Sequence, residues 1–265
     1  MARLLHRTIV ILARVVPVRG RSRIMTSPTS SHHPSTIESL IARQVRLWEN
    51  ARKEREAKAE DVSPPPCITV SREFGAGGLA IAEEVAKQLG YTLWDHQIVH
   101  SIAERSGVRE SLLASLDERS RRGVRAFVDS LVGRDDARLA YAKQLGEVVR
   151  AIAEHGSAVI VGRGASAIVD PAEALRVRVV MSREARIAGY AAREGLSEAE
   201  ATKVVDETEA AREAFLLEHF GVSKASETDY DLVINRDGFD VEGAATVVVA
   251  AYRARFESEK SRGER

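Results

Sequence analysis

The chain has 265 residues, 44% of them hydrophobic, and its 39 basic and 39 acidic side chains cancel. That length and apolar content suit one α/β domain with extensions and a sizeable core. The balanced charge argues against a nucleic-acid binder, and no apolar run reaches the length of a bilayer span. A single cysteine, Cys67, rules out an internal disulfide and a cysteine-based zinc site, and its strand-like surroundings predict a buried structural thiol in a reducing, cytoplasmic setting.

Residues 1–36 read as a disordered leader, arginine-rich to Ile24 and then rich in Ser, Thr, His and Pro, with Met25 as an alternative start. Residues 37–66 follow as a helix with a partial apolar stripe (Ile37, Leu40, Ile41, Val45, Trp48), ended by the proline run at 64–66. From Cys67 to Phe256 strands and helices alternate. Strands are expected at 67–72, 91–95, 157–162, 175–181 and 230–235, and helices at 78–89, 96–106, 183–194, 197–219 and 240–256. An arginine-rich helical stretch at 109–155 is expected to break near Gly123 and Gly133, and residues 257–265 to form a disordered tail. Alternation of this kind predicts parallel pairing with right-handed crossovers, a three-layer α/β sandwich.

The first strand runs straight into Gly75-Ala76-Gly77-Gly78-Leu79-Ala80 and a helix. Glycines let the backbone turn tightly, and the orphan N–H groups of a first helical turn, with the helix dipole behind them, favour an anion. The segment therefore reads as a phosphate cradle. It also satisfies G-x-G-x-x-A, the dinucleotide fingerprint, with Asp95 twenty residues past Gly75. No second run of strand–helix units follows, which ranks an NAD-type fold below a phosphotransferase with a helical lid.

Arg163 stands between two glycines at a strand's carboxyl end, where open α/β sheets bind ligands, and is expected to hold phosphate. Arg186 and Arg212, on the helices after the fourth strand, have acidic neighbours in Asp206 and Glu209; arginine forks of this kind stabilise the charge of a transferring phosphoryl group. Asp95 ends the second strand, as a substrate contact, an N-cap, or both. His96 and His100 share a helix face but have no third ligand in view, so no metal site is predicted.

Taken in order, ITVSREFGAGGLAIAEEVAKQLG, YTLWDHQIV, VIVGRGAS, REGLSEAEA…AREAFLLEHFG and YDLVIN resemble the cytidylate kinase-like family of P-loop proteins over residues 67–256. The resemblance implies a five-stranded parallel sheet with a lid, ATP and Mg²⁺ as the donor, and a nucleoside monophosphate such as CMP or dCMP, or a related small molecule, as the acceptor. In cytidylate kinases the loop G-P-S-G-A-G-K-G-T aligns with Arg72 through Ala80, so Gly78 stands in place of the phosphate-bridging lysine and Ala80 in place of the metal-holding hydroxyl. Arg72 is a candidate for the lost charge. Their G-R-D aligns with Gly162-Arg163-Gly164, and their R-D-x-x-D-x-x-R with Val205 through Arg212, where Glu209 takes the second acid's place.

Together these expectations are a donor site at Arg72 and Gly75–Ala80, acceptor contacts from Asp95, Arg163 and Glu209, and catalytic arginines at 186 and 212. The alternative is a nucleotide-binding regulator with little turnover, using the N-terminal helix as a partner-binding or self-association arm.

Overall fold

Five strands form one parallel sheet in the order β2-β3-β1-β4-β5: β1 (Cys67–Arg72), β2 (Thr92–Trp94), β3 (Ala158–Val161), β4 (Ala174–Val180) and β5 (Leu232–Asn235). The computed structural model describes residues 34–57, 64–131, 137–222 and 226–263. Most of the predicted leader, the alternative start at Met25 and the predicted break at Gly133 lie outside the described residues.

β1 lies at the centre, and its β-branched run is buried on both faces, as a parallel strand flanked by two layers requires. On one face α2 (Gly78–Leu89) and α10 (Val241–Gly263) pack through Ile81, Val85, Ala244, Val248 and Tyr252. The other face carries α3 (His96–Glu104), α4 (Ser106–Ala114), α5 (Glu118–Ser130) and α6 (Ala137–His155), with Ile102, Leu112, Leu145 and Ile152 fully buried. Cys67 is completely enclosed there, and burial pushes its thiol up to about 12, so it is the inert structural cysteine expected.

Beyond the sheet, α8 (Arg183–Glu194) and α9 (Glu198–Phe220) form a hairpin with a small core of Ile187, Ala201 and Val205. A reciprocal capping box of Ser197 and Glu200 starts α9, and left-handed Gly195 and Gly221 end the two helices.

Four local features differ from the sequence reading. The N-terminal helix α1 (Pro34–Ala57) buries Ile37 and Ile41 in the same core as α3 and α4, so the proline run does not separate two packed units. Gly123 lies inside α5, and the break falls earlier, where Asp117 caps that helix by accepting from Ser120 N–H. A short helix α7 (Ala165–Ile168) follows β3. Lastly, α10 runs on to Gly263, because nothing between Phe256 and Gly263 stops a helix.

The connection from β3 to β4 passes across β1. The loops after β1 and β3 therefore leave the sheet side by side, and Gly162 N–H donates to the Val70 carbonyl across them at 3.1 Å. That edge is where an open α/β sheet places its ligand crevice.

Candidate functional site

The glycine loop joins β1 to α2. Gly75 and Gly77 are left-handed, with φ of 86° and 75°, and Gly77 is the N-cap of α2. No side chain caps the helix, so the first-turn N–H groups of Gly78, Leu79 and Ala80 are free to meet an anion. The loop is also backed tightly, since a Cβ on Gly75 would stand 3.1 Å from Arg186 Cβ.

Arg72 lies against the position where other P-loops carry lysine. Its side chain runs beside position 78, where a Cβ would lie 2.6 Å from Arg72 Cβ and 2.9 Å from its Cγ. The guanidinium continues across to Gly162, where any side chain would overlap Arg72 Nη1. One arginine thus fills the room of a residue-78 side chain and lies in a slot that two glycines keep open. Burial, with Arg212 and Arg163 as like-charged neighbours, pulls its pKa down to about 10, while Glu209 and Asp95 support its charge.

A cavity of about 480 Å³ opens beside this slot, lined by Arg72 at the end of β1, Phe74 just after it, His96 at the start of α3, Gly162-Arg163-Gly164, Arg178 of β4 and Glu209, Arg212 and Phe215 of α9. Arg163 is held in an unusual left-handed conformation, φ 52°, between left-handed Gly162 and Gly164. Its Nε donates to the His96 carbonyl at 3.1 Å and its guanidinium lies over the Phe215 ring. Arg212 donates to the Arg72 carbonyl at 3.3 Å, lies over the Phe74 ring and pairs with Glu209 at 3.5 Å. Burial lowers its pKa. Glu209 also accepts from Phe74 N–H, tying α9 to the start of the glycine loop. His96 is held below the usual histidine range by burial and then by Arg72, so it adds no positive charge at neutral pH.

Of the residues expected from the sequence, Arg72, Arg163, Glu209 and Arg212 line this cavity, whereas Asp95, Arg186 and Gly75–Ala80 do not. Asp95 caps α3 by accepting from Gln97 and Ile98 N–H at 2.8 and 2.9 Å. Arg186 is 8% exposed and fully engaged: it donates to the Met181 and Phe74 carbonyls and pairs with Glu73 at 3.4 Å. It braces the back of the loop. Glu73 in turn accepts from Met181 N–H.

Two arginines were missed. Arg178 reaches the cavity from β4 and lies over Tyr230. Arg236, in the short 3₁₀ turn Arg236–Gly238 after β5, brings Nη1 to 3.0 Å from where a Cβ on Gly77 would be. The rule that singled out Arg163, an arginine at a strand's carboxyl end, applies equally to Arg236.

Two positions depart from the cytidylate kinase motifs. Val205, where those motifs have an arginine, is buried inside the α8–α9 hairpin. At Gly164, where they have an aspartate, the Phe220 ring stands 2.5 Å from a built Cβ, and φ is +70°. Apolar packing has taken both places.

A parallel sheet of this order, a glycine loop between its central strand and the next helix, and arginines converging on the same edge define a P-loop nucleotide kinase-like domain. The cytidylate kinase-like family matches residues 67–238, and the chain belongs to that family. Among solved structures, an uncharacterized protein from Eubacterium ventriosum is similar at 20% identity with a TM-score of 0.57, covering 72% of this chain and 99% of its own. Shikimate kinase from Bacteroides thetaiotaomicron is 14% identical with a TM-score of 0.39, covering 69% of this chain and 96% of its own. No curated protein matches. Among the described residues no helix is long and apolar enough to cross a membrane, and no cluster of three or more His, Cys, Asp or Glu side chains is placed to hold a metal.

Proposed function

We propose that this domain binds ATP at the glycine loop and transfers its terminal phosphoryl group to a small phosphorylated acceptor of the nucleoside monophosphate type held in the arginine-lined cavity. The observation that carries this reading is Arg72. Its aliphatic stem fills the room beside Gly78 and its guanidinium lies in the adjacent slot at Gly162, which supports a substituted phosphate site over a decayed one.

ATP, when bound, supplies the group to be transferred; the chain supplies position and charge, which is most of what this reaction asks of a protein. The first-turn amides of α2 cradle donor phosphates and Arg72 neutralises them from the slot. Arg163 and Arg178 hold the acceptor's phosphate. Arg212, fixed by Glu209 and the Arg72 carbonyl, stands where it can stabilise charge between the two. Arg186 and Asp95 act through the loop and helix they hold. The loop offers Mg²⁺ no side-chain oxygen, since Ala80 has none and Glu73 is engaged by Arg186 and Met181, so the metal fits only as part of the nucleotide complex, on phosphate oxygens and water. The packing at Val205 and Gly164 argues against cytosine-specific recognition by those positions, and the acceptor is recognised first through its phosphate.

The test is ADP release from MgATP in the presence of CMP, dCMP, UMP or AMP, alongside nucleotide titration of the same protein. Acceptor-dependent ADP release supports the reading. Tight ATP binding without turnover identifies a nucleotide-sensing regulator instead, the role favoured by the absent loop hydroxyl. Failure to bind any nucleotide overturns both.

A further inference from the structure

We propose that Arg236 is a second donor-phosphate ligand, set against the glycine loop at Gly77; this rests on the donor site proposed above. Two features of the turn after β5 carry it.

The first is placement. The Arg236 guanidinium lies against Gly77, the N-cap of α2, with Nη1 3.0 Å and Cζ 3.6 Å from a Cβ built there. Glycine at 77 therefore does two things: it supplies the left-handed cap, and it leaves room for a guanidinium at the point where the first-turn amides begin. The turn is held in register by its own contacts. Asn235 accepts from Asp237 N–H at 3.1 Å, and the Asp237 carboxylate accepts from Ser182 N–H and Oγ, both at 3.0 Å, at the start of α8. Arg236 is thus fixed at the junction of sheet, loop and lid hairpin.

The second is the lack of a partner. Asp237, the nearest acid in sequence, is turned toward Ser182, and Asp240 accepts from Gly243 N–H. The Arg236 side chain makes no ion pair or hydrogen bond among the described residues, and its Nε is buried with no acceptor. A guanidinium held part-buried against an amide-rich helix start, with no acid to neutralise it, calls for an anion. With the Arg72 stem beside Gly78 and the Arg236 guanidinium beside Gly77, two arginines flank consecutive residues of the loop. The ligand this arrangement takes is the polyphosphate of a nucleoside triphosphate.

The experiment compares the full chain with R236Q, R236M, R236K and R72Q, titrating each with MgATP and separately with inorganic tripolyphosphate. R236M keeps an aliphatic stem at the loop, so two neutral variants and one charged variant separate packing from charge. The expected result is a loss of about 10-fold or more for both probes in R236Q and R236M, with R236K within a few-fold of wild type. Equal losses in R236K and the neutral variants mean a packing role and overturn the proposal, as does a loss confined to ATP, which marks a contact to the base. Unchanged binding in the neutral variants alongside a weakened R72Q overturns the Arg236 assignment and leaves the donor site standing. If wild type binds neither probe, the donor site falls as well.

Discussion

Arg72 and Gly78 are a matched pair: the arginine's Cβ and Cγ occupy the space into which a side chain at 78 would project. The stem of Arg72 leaves no room for a lysine at 78, and on the proposed reading its guanidinium supplies the charge. Restoring lysine by G78K is therefore expected to hurt. Overpacking against Arg72 should lower stability by about 1–3 kcal/mol, and nucleotide affinity should fall with it. The double change R72G/G78K, which removes the obstruction, should regain most of both. Denaturant melts and nucleotide titrations of the three proteins check this; tighter nucleotide binding by G78K alone, at unchanged stability, would contradict it.

The choice of arginine at 72 has a consequence in pH. Its pKa is lowered to about 10, which leaves it charged throughout the neutral range. A lysine in the same slot starts about two pH units lower and meets the same burial and the same two arginines, so its charge is lost as the pH rises toward and through its depressed value. R72K is accordingly expected to bind nucleotide progressively more weakly from pH 7 to 9, while wild type stays nearly constant. Titrations at fixed ionic strength measure the two slopes, and parallel slopes would rule the account out.

Much of this was readable from residue order. The alternation of strand and helix gave the parallel sheet, and the glycines after β1 gave the phosphate loop, because backbone requirements are written locally. Arg163, expected from its place at a strand's end, and Arg212, expected from its place on a helix after a core strand, both line the cavity. Side-chain destinations were less accessible. Arg186 and Arg212 look alike in sequence, yet one is consumed by Met181, Phe74 and Glu73 while the other lines the cavity. Arg178 was not legible because a strand residue's facing depends on tertiary packing, whereas Arg236 satisfied the strand-end rule and only its reach to Gly77 needed the fold. The proline run at 64–66 punctuates the chain, but whether the preceding helix returns to the core was decided by Ile37 and Ile41, not by the prolines.

Glu209 places a negative charge beside two of the site's arginines, pairing with Arg212 and accepting from Phe74 N–H. E209Q keeps a hydrogen-bonding side chain and removes the charge, so binding of inorganic phosphate or of a nucleoside monophosphate should tighten by a few-fold as Arg212 and Arg72 lose a competitor. E209A also removes the brace on Phe74 and should cost about 1 kcal/mol of stability. Calorimetric titration of both variants checks the sign; weaker binding by E209Q would instead make Glu209 a direct acceptor contact.

The helix α1 tests whether the N-terminal region is a detachable arm or part of the body. Its Trp48 ring stacks on His155 at a centroid distance of 3.8 Å and an interplanar angle of 5°, and on Trp94 at 5.8 Å. His155 is itself tied to Ser115 at 2.9 Å, so α1 is joined to the ends of α4 and α6 and to β2. Ile37 and Ile41 bury the other end of the helix. W48A should therefore lower stability by about 2–3 kcal/mol, less than for a fully enclosed tryptophan because this one is partly exposed. Removing residues 1–57 should lower the melting temperature sharply, since it uncovers apolar surface on α3 and α4. Nucleotide affinity of W48A, measured well below its melting point, should stay at the wild-type value, because Trp48 touches none of the cavity. A truncated chain that melts where the intact one does would instead make α1 the free partner-binding arm.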